Sequence, residues 1–245
     1  MEDVNRREFL LTSASLSAMA CGSGDHSSKN QITGPNTPPL TLPTGATILF
    51  QGDSIPNADR SAGSTDANNA DCMGYGFALF IAMKQLYANP NQGLQFYNRS
   101  FGGDTVPLLQ ARWQTDTIDI KPDLLSILVG INDFANDYQD PNVATIYEQN
   151  YTALINSTLQ ALPNVKLVIM EPYIIADAPV PGFQAIRDAA AQVAQQANAI
   201  FVPLQDMLNQ HISQQTATYW VKDQAHPTIA GHAAIAYQWL QYVGW

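Results

Sequence analysis

The sequence predicts an α/β protein in which a parallel sheet of five strands lies between two layers of helices. Five short apolar runs begin at residue 46; they are too short for helices but continuous enough for strands buried on both faces. The longer segments between them carry apolar residues at intervals of three and four, so each can bury one face of a helix. A repeated strand, crossover helix and strand builds a parallel sheet covered on both sides.

The predicted elements alternate along the chain. The strands are ATILFQ (46–51), LQFYN (94–98), LLSILVG (124–130), VKLVIM (165–170) and AIFVPL (199–204). The helices are GYGFALFIAMKQLYA (74–88), VATIYEQNYTALINSTLQAL (143–162), FQAIRDAAAQVAQQAN (183–198) and TIAGHAAIAYQWLQYV (228–243). No internal repeat interrupts this order, and we expect one domain over residues 45–245.

The N-terminal region has the pattern of an export signal. Arg6 and Arg7 precede a mildly apolar run over residues 9–20, which is shorter than the roughly 20 residues that span a bilayer as a helix. We expect residues 1–20 to be a twin-arginine signal peptide and residues 21–44, which are rich in Gly, Ser, Thr and Pro, to be a flexible tether. Cys21 follows a sequence similar to a bacterial lipobox. Two fates remain open: a cell-envelope lipoprotein, or a secreted or periplasmic protein.

Charge and cysteine content restrict the partners. The formal net charge of -10 disfavours binding to a phosphate backbone, so we expect no nucleic-acid partner. The chain has only two cysteines, Cys21 and Cys72, which excludes a disulfide scaffold. We expect a monomer that contacts the membrane only through a lipid on Cys21.

Polar turns follow three of the predicted strands. Ser54 comes directly after the first strand, the turn FGGDT (101–105) follows the second, and GIND (130–133) follows the third. Ligands of such sheets bind outside the carboxyl ends of the strands. The turns are therefore expected at one edge of the sheet, either as ordinary connections or as parts of a catalytic site.

A base for Ser54 is found near the other end of the domain. A serine hydroxyl needs a base to take its proton, and the base needs a third group to orient it. His226 and Asp223, three residues apart in VKDQAHPTIAGH, supply these two groups. Pro227 disfavours helical geometry for the preceding residue and suits the first position of a helix, so we expect His226 immediately before the last helix.

The residues so far resemble the GDSL, or SGNH, hydrolase family from about residue 46 to the C-terminus. Four motif blocks of that family occur in order: GDSI (52–55), NRSFGGDT (98–105), GIND (130–133) and DQAHP (223–227). The resemblance implies a flavodoxin-like three-layer α/β/α sandwich. It also implies a triad and an oxyanion hole, whose residues are Ser54, Asp223 and His226 for the triad and the Ser54 N–H, the Gly103 N–H and the Asn132 side-chain amide for the hole.

Two further carboxylates lie beside these residues. We expect Asp53 and Asp133 to accept hydrogen bonds from backbone N–H groups in their turns and so to orient Ser54 and Asn132. The spacing of Asp53, Asp104, Asp133 and His226 matches no familiar metal-ligand motif, so we expect neither a metal nor another cofactor. Arg112 and Trp113 fit either core packing or a wall near the site.

The resemblance extends to the expected substrate. The sequence is most similar to the branches of the family that contain carbohydrate acetyl esterases. This resemblance implies a serine esterase that acts on short acetyl esters of a small molecule or polysaccharide. The polar loop over residues 56–73, expected at the rim of the site, has almost no aliphatic content and would make a poor acyl-chain tunnel. Two alternatives stay open: a lipase, lysophospholipase or thioesterase with the same triad, and a cell-surface binding protein without activity.

Overall fold

The computed structural model describes residues 40–63, 65–176, 178 and 180–245. The proposed signal peptide, Cys21 and nearly all of the proposed tether lie outside the described residues. The strands are β1 (Thr47–Gly52), β2 (Gln95–Asn98), β3 (Leu124–Leu128), β4 (Lys166–Met170) and β5 (Ile200–Val202). Each coincides with a predicted strand to within two residues.

The five strands form one parallel sheet in the order β2-β1-β3-β4-β5. This is the flavodoxin-like order, in which the chain reverses its direction of growth between β1 and β3. The predicted fold class is therefore confirmed. Because all strands are parallel, the turns after β1, β2 and β3 lie at the same edge, and the gap between β1 and β3 is the expected place for a ligand.

Helices cover both faces of the sheet. Their bounds, in chain order, are α1 (Ser54–Asn57), α2 (Ala70–Met73), α3 (Phe77–Ala88), α4 (Val106–Trp113), α5 (Ile131–Asp137), α6 (Val143–Ala161), α7 (Phe183–Gln196), α8 (Gln205–Ile212), α9 (Ala217–Trp220) and α10 (Ile229–Val243). A π-helical turn, Gln114–Ile118, continues α4. Helix α6 packs between α4 and α7 in one layer, and α3 packs against α10 in the other.

The core has two halves, one on each face of the sheet. On one face, Leu125 and Ile127 of β3 pack with buried residues of α4, α6 and α7, including Trp113 and Tyr151. On the other face, the ring of Phe50 lies 5.9 Å from that of Phe77 and 5.8 Å from that of Trp239, so β1, α3 and α10 share one aromatic cluster. No helix among the described residues is both long and apolar enough to cross a membrane.

Part of the polar loop over residues 56–73 pairs with β2, at one edge of the sheet. Asn68 donates its N–H to the Phe96 carbonyl at 3.0 Å and accepts from the Phe96 N–H at 2.8 Å, while its side-chain amide donates to the Leu94 carbonyl at 2.9 Å. These bonds cap β2, an edge strand that would otherwise expose unpaired groups. This stretch of the loop therefore lies along β2, and the expectation that the whole loop rims the site was too broad.

Candidate active site

Ser54 lies at a sharp turn between β1 and α1. Gly52 has φ +142°, and a Cβ atom there would lie 1.9 Å from the Leu128 carbonyl oxygen, so only glycine fits. Asp53 is 1% exposed and caps α1 by accepting from the Ile55 N–H at 2.9 Å. Ser54 is the first residue of α1, and its N–H has no partner within the helix. The turn thus presents the Ser54 hydroxyl and N–H together at the carboxyl edge.

Three side chains form a hydrogen-bonded chain at this edge. Ser54 Oγ lies 2.8 Å from His226 Nε2, and His226 Nδ1 lies 2.8 Å from Asp223 Oδ2. The Asp223 side chain is 55% exposed and the His226 side chain 48%. The sequence placed these groups 172 residues apart in the chain, and the fold brings them to the distances that a nucleophile, a base and an orienting acid require.

The loop that carries Asp223 and His226 is a short hairpin. Val221 and Pro227 form an antiparallel bridge, and the Lys222 N–H donates to the His226 carbonyl at 2.8 Å. The last helix begins at Ile229, one residue later than predicted, so His226 precedes it by three residues. Pro227 is held extended by the bridge, and Thr228 caps α10 by accepting from the Gly231 N–H.

Asp223 is held in place by its own loop. Its Oδ1 accepts from the His226 N–H at 2.8 Å and from the Ala225 N–H at 2.7 Å. Partial burial alone would raise the pKa of Asp223, but these bonds and the His226 ring lower it below its ordinary value. The buried Tyr173 hydroxyl donates to the Ala225 carbonyl at 2.6 Å and so connects this loop to the chain after β4. Asp223 therefore carries a negative charge beside the imidazole at neutral pH.

Two hydrogen-bond donors flank Ser54. Gly103 has φ +84° within the turn Phe101–Asp104, and its N–H makes no hydrogen bond within the part of the chain that the structure describes. The Asn132 side-chain amide donates to the Asp104 carbonyl at 3.0 Å, which uses one of its two hydrogens. A Cβ atom on Gly102 would lie 3.8 Å from Ser54 Cβ, so this turn lies directly against the serine. The turn and Asn132 are joined through Asp104.

Arg112 fixes the same turn from α4. Its Nε donates to Asp104 Oδ2 at 3.0 Å, and its Nη1 donates to the Arg99 carbonyl at 2.7 Å and to Asp116 Oδ2 at 2.9 Å. Its guanidinium carbon also lies 4.7 Å from the centre of the Phe101 ring. The two interpretations of this pair each hold for one residue. Arg112 lies near the site, whereas Trp113 packs in the core and donates to Thr158 Oγ1.

Arg60 holds the beginning of the turn. Its Nε donates to the Ser100 carbonyl at 2.6 Å, and its guanidinium carbon lies 4.3 Å from the centre of the Phe101 ring. Sequence reasoning missed Arg60, and it placed Arg112 near the site only as one of two interpretations. Neither arginine belongs to a motif block, and only their contacts with the Phe101 turn reveal that they support it.

Two buried carboxyls lie behind the site. Burial raises the pKa of Asp53 to about 7, and the charges of Asp133 and Asp104 add to the rise. Burial also raises the pKa of Asp133 to about 6. Asp53 accepts from a backbone N–H in its own turn, as predicted. Asp133 does not: it accepts from the Val106 N–H at 3.0 Å and so connects the turn after β3 to the start of α4.

The site contains no cluster suited to a metal ion. No group of three or more His, Cys, Asp or Glu side chains in the described ranges is arranged to hold one. The carboxylates near Ser54 instead accept hydrogen bonds from backbone N–H groups or from Arg112. The groups that the structure brings together at this edge include a hydroxyl, an imidazole and N–H donors.

The geometry and the sequence point to one class of protein. A profile of the GDSL-like lipase/acylhydrolase family matches residues 50–234, and the chain belongs to this family of ester hydrolases. It is similar to an acetylxylan esterase from Geobacillus stearothermophilus, with 29% identity over 213 residues that cover 84% of this chain and 97% of the relative.

Solved structures agree with this assignment. A GDSL-like protein from Parabacteroides merdae superposes with a TM-score of 0.80 and 32% identity, covering 84% of this chain and 99% of that one. The solved acetylxylan esterase from G. stearothermophilus has a TM-score of 0.75 and 26% identity, covering 84% of this chain and 97% of that one. The whole sheet and both helical layers are thus shared with GDSL hydrolases.

Proposed function

We propose that this protein is a serine esterase that removes acetyl groups from carbohydrate, with Ser54 as nucleophile, His226 as base and Asp223 as the acid that orients it. The observation that carries the proposal is the unbroken chain of 2.8 Å contacts from Ser54 through His226 to Asp223. Catalytic mutants of the related acetylxylan esterase replace a serine, a histidine and an aspartate by alanine, which supports the same three residue types here.

The mechanism follows from where charge develops. His226 takes the Ser54 proton while Oγ attacks the ester carbonyl carbon, and the carbonyl oxygen becomes negative. The Ser54 N–H, the Gly103 N–H and the Asn132 amide are proposed to stabilise that oxygen. His226 then returns the proton to the leaving alcohol oxygen, and the C–O bond of the ester breaks. Water, activated by the same imidazole, attacks the acetyl-enzyme and releases acetate.

Asp223 makes the imidazole a better base. Its carboxylate accepts from His226 Nδ1–H, which leaves Nε2 free to receive the Ser54 proton and stabilises the positive ring that results. The carboxylate is itself oriented by two backbone N–H groups of its loop. Ser54, His226 and Asp223 thus act as one unit.

A series of acyl-chain lengths tests the substrate class. On p-nitrophenyl esters from acetyl to octanoyl, kcat/KM should fall with length, because a shallow acetyl pocket offers added methylenes only water or a wall. An apolar tunnel would instead gain up to about 0.8 kcal/mol per buried methylene. Acetate release from acetylated xylan is the matching positive result. A rate that rises through octanoyl would favour a lipase, lysophospholipase or thioesterase, and no hydrolysis of any ester would favour a binding protein.

We also propose that the protein is exported and held in the cell envelope by a lipid on Cys21. The proposal rests on the twin arginine and the lipobox-like sequence before Cys21. In cells that express the full chain, Cys21→Ser should move the protein from the membrane fraction to the soluble fraction. Equal membrane association of the variant would rule out the lipid on Cys21 and leave another anchor as the explanation, whereas a native protein that is already soluble would indicate plain secretion.

A further inference from the structure

A cavity lies beside Asp223. It has a volume of about 850 Å³ and lies outside the carboxyl ends of β4 and β5, next to α8 and α9. Asp223 forms part of its wall, whereas Ser54, His226 and Asn132 do not line it. Ligand-binding cavities typically measure about 300–1,000 Å³. The size and the place at the carboxyl edge both suit a ligand that extends past the reacting ester.

Side-chain amides dominate the polar lining of this cavity. Four carboxamides and one hydroxyl line it: Gln184, Gln205, Asn209, Gln224 and Thr218. The Nδ2 of Asn209 and the side-chain amide of Gln224 make no hydrogen bond with any residue that the structure describes. The donors of Asn209 and the whole amide of Gln224 are thus open to a ligand, whereas Gln184 and Gln205 are bonded at both ends within the protein. Such groups pair with the hydroxyls of a polyhydroxylated ligand without requiring that it be charged.

The charges in the cavity wall are largely balanced. Arg187 donates to the buried Glu171 at 2.7 Å, and Asp223 accepts from His226. Lys222 is the remaining charged side chain among the described lining residues. Apolar side chains, including Ile175 and Val221, supply the rest of the surface. A wall of amides and aliphatic groups is suited to the hydroxyls and the C–H faces of a neutral sugar.

The floor of the cavity is preformed. Glu171 is buried, and its Oε2 accepts from the Leu204 N–H at 2.7 Å and the Gln205 N–H at 2.9 Å. Gln205 in turn accepts from the Ile174 N–H at 3.0 Å, and the Ile175 N–H donates to the Gln224 carbonyl at 2.7 Å. These bonds tie the chain after β4 to α8 and to the Asp223 loop. A ligand that contacts Gln205 or Gln224 does not have to order the segments that carry them, which favours affinity.

We propose that this cavity binds the sugar residues adjoining the acetylated residue of a neutral oligosaccharide. The inference rests on the proposed function, since it assumes that the ester at Ser54 is carried by a carbohydrate. Asp223 is separated from Ser54 by a single imidazole, so a ligand that extends by one or two sugar units from the reacting ester reaches the cavity. An acyl chain in the same cavity would cover the Asn209 Nδ2 and the Gln224 amide without giving them partners, which is costly.

Two variants test the cavity. Asn209→Leu removes an amide from the wall, and Ala217→Trp fills the space between α8 and α9. Ala161→Trp, at the exposed C-terminal end of α6, is the matched control because it introduces the same ring away from the cavity. The measured quantity is kcat/KM on acetylated xylotriose divided by kcat/KM on p-nitrophenyl acetate. We expect this ratio to fall about tenfold in both cavity variants, equivalent to about 1.4 kcal/mol of lost interaction, and to stay unchanged in the control.

The outcomes separate the cavity from the reaction. An unchanged ratio in both cavity variants would overturn the subsite, and so would an equal fall in the control. If the native enzyme cleaves p-nitrophenyl acetate but not acetylated xylotriose, the carbohydrate function fails instead. Calorimetry then decides the cavity: xylotetraose should bind Ser54→Ala protein and bind Ser54→Ala/Asn209→Leu protein about tenfold more weakly. Equal binding by the two proteins, or no binding, would refute the subsite.

Discussion

The two halves of the carboxyl edge are built differently. On the side of β1, β2 and β3, the groups behind Ser54 are buried: Asp53 is 1% exposed, Asp133 is 9% exposed, and two arginines hold the turn that carries Gly103. On the side of β4 and β5, Asp223 and His226 stand in a hairpin that is about half exposed. The turn and the helix that carry the proposed oxyanion donors are therefore fixed by many contacts, while the proposed acid and base depend mainly on contacts within their own loop.

This difference has a physical reason. An oxyanion hole lowers a barrier only if its donors are already aimed at the developing charge, so it benefits from a rigid surrounding. The proposed base, His226, must instead take a proton from Ser54 or water and give it to the leaving alcohol, and its hairpin borders both Ser54 and the 850 Å³ cavity. Exposure on the acid–base side therefore leaves room for the leaving group.

The largest expected effects compare Ser54, the proposed nucleophile, with Asp223, the proposed and exposed acid. Ser54→Ala should lower kcat on p-nitrophenyl acetate by about 10⁴–10⁶-fold, because no other group replaces the hydroxyl. Asp223→Ala should cost less, about 10²–10³-fold. A buried triad acid is worth about 10⁴-fold, but water reaches the imidazole here and screens the charge that Asp223 supplies.

Thermal unfolding of both variants serves as the control for folding. Equal losses for Ser54→Ala and Asp223→Ala would mean that the exposed carboxylate is as important as a buried one, and the contrast between the two halves would then have no functional meaning. Activity of folded Ser54→Ala at the native level would remove Ser54 as the nucleophile.

A smaller effect on kcat is expected for the arginines, and it should differ between Arg112 on the Ser54 side and Arg187 on the cavity side. Arg112 and Arg187 are matched, with side chains that are 19% and 18% exposed and with carboxylate partners on Asp104 and Glu171. Arg112→Gln should lower kcat on p-nitrophenyl acetate about tenfold with little change in KM, since displacing a donor costs less than the 10²–10³-fold loss of one. Arg187→Gln should leave kcat within about twofold, because p-nitrophenyl acetate needs no cavity wall.

Arg112→Lys adds a test of mechanism. A lysine reaches one carboxylate but cannot hold Asp104, Asp116 and the Arg99 carbonyl together, so it should recover only part of kcat. If Arg112→Gln and Arg187→Gln lose stability to the same extent and kcat to the same extent, Arg112 is a structural residue and not a positioning one.

Much of this architecture could be predicted from the sequence. The strands and the four long helices are confirmed, since buried parallel strands and amphipathic helices each leave a periodic pattern. Helices α4, α5 and α8 were not predicted, because segments of seven or eight residues are too short to show that pattern. Their ends depend on tertiary contacts, as where Thr105 caps α4 by accepting from the Leu108 N–H.

The parts of the site that the sequence could not predict are contacts between loops. Ser54 could be chosen because it follows a strand, and His226 because it precedes a proline near a carboxylate. Asn132 was chosen only through the resemblance to the GDSL family. The bond from the Val106 N–H to Asp133 and the bonds from Arg112 to Asp104 join residues whose distance is set only by the packing of α4. The catalytic roles of the predicted residues remain predictions that the variants above test.

The smallest expected effect concerns the buried Asp53 and is measured as stability. Because its pKa in the folded protein is raised to about 7, folded Asp53 keeps its proton over a pH range in which the unfolded chain, with an ordinary pKa near 3.8, has lost it. Below about pH 4 both states are protonated and no stability is lost. Between about pH 4 and 7 the unfolded state binds fewer protons, so the free energy of unfolding falls as the pH rises.

Asp53→Asn should remove this dependence, because an amide does not ionise and its Oδ1 can still accept from the Ile55 N–H. Urea unfolding of both proteins at pH 4, 5, 6 and 7 measures the free energy of unfolding. The value for the variant, relative to that for the native protein, should rise by about 1–4 kcal/mol over this range. Asp206→Asn, at a side chain that is 90% exposed, is the control, and its free energy of unfolding should depend on pH as that of the native protein does. Parallel curves for Asp53→Asn as well would mean that Asp53 is ionised in the folded protein, and the buried side of the edge would then hold a charge directly behind the nucleophile.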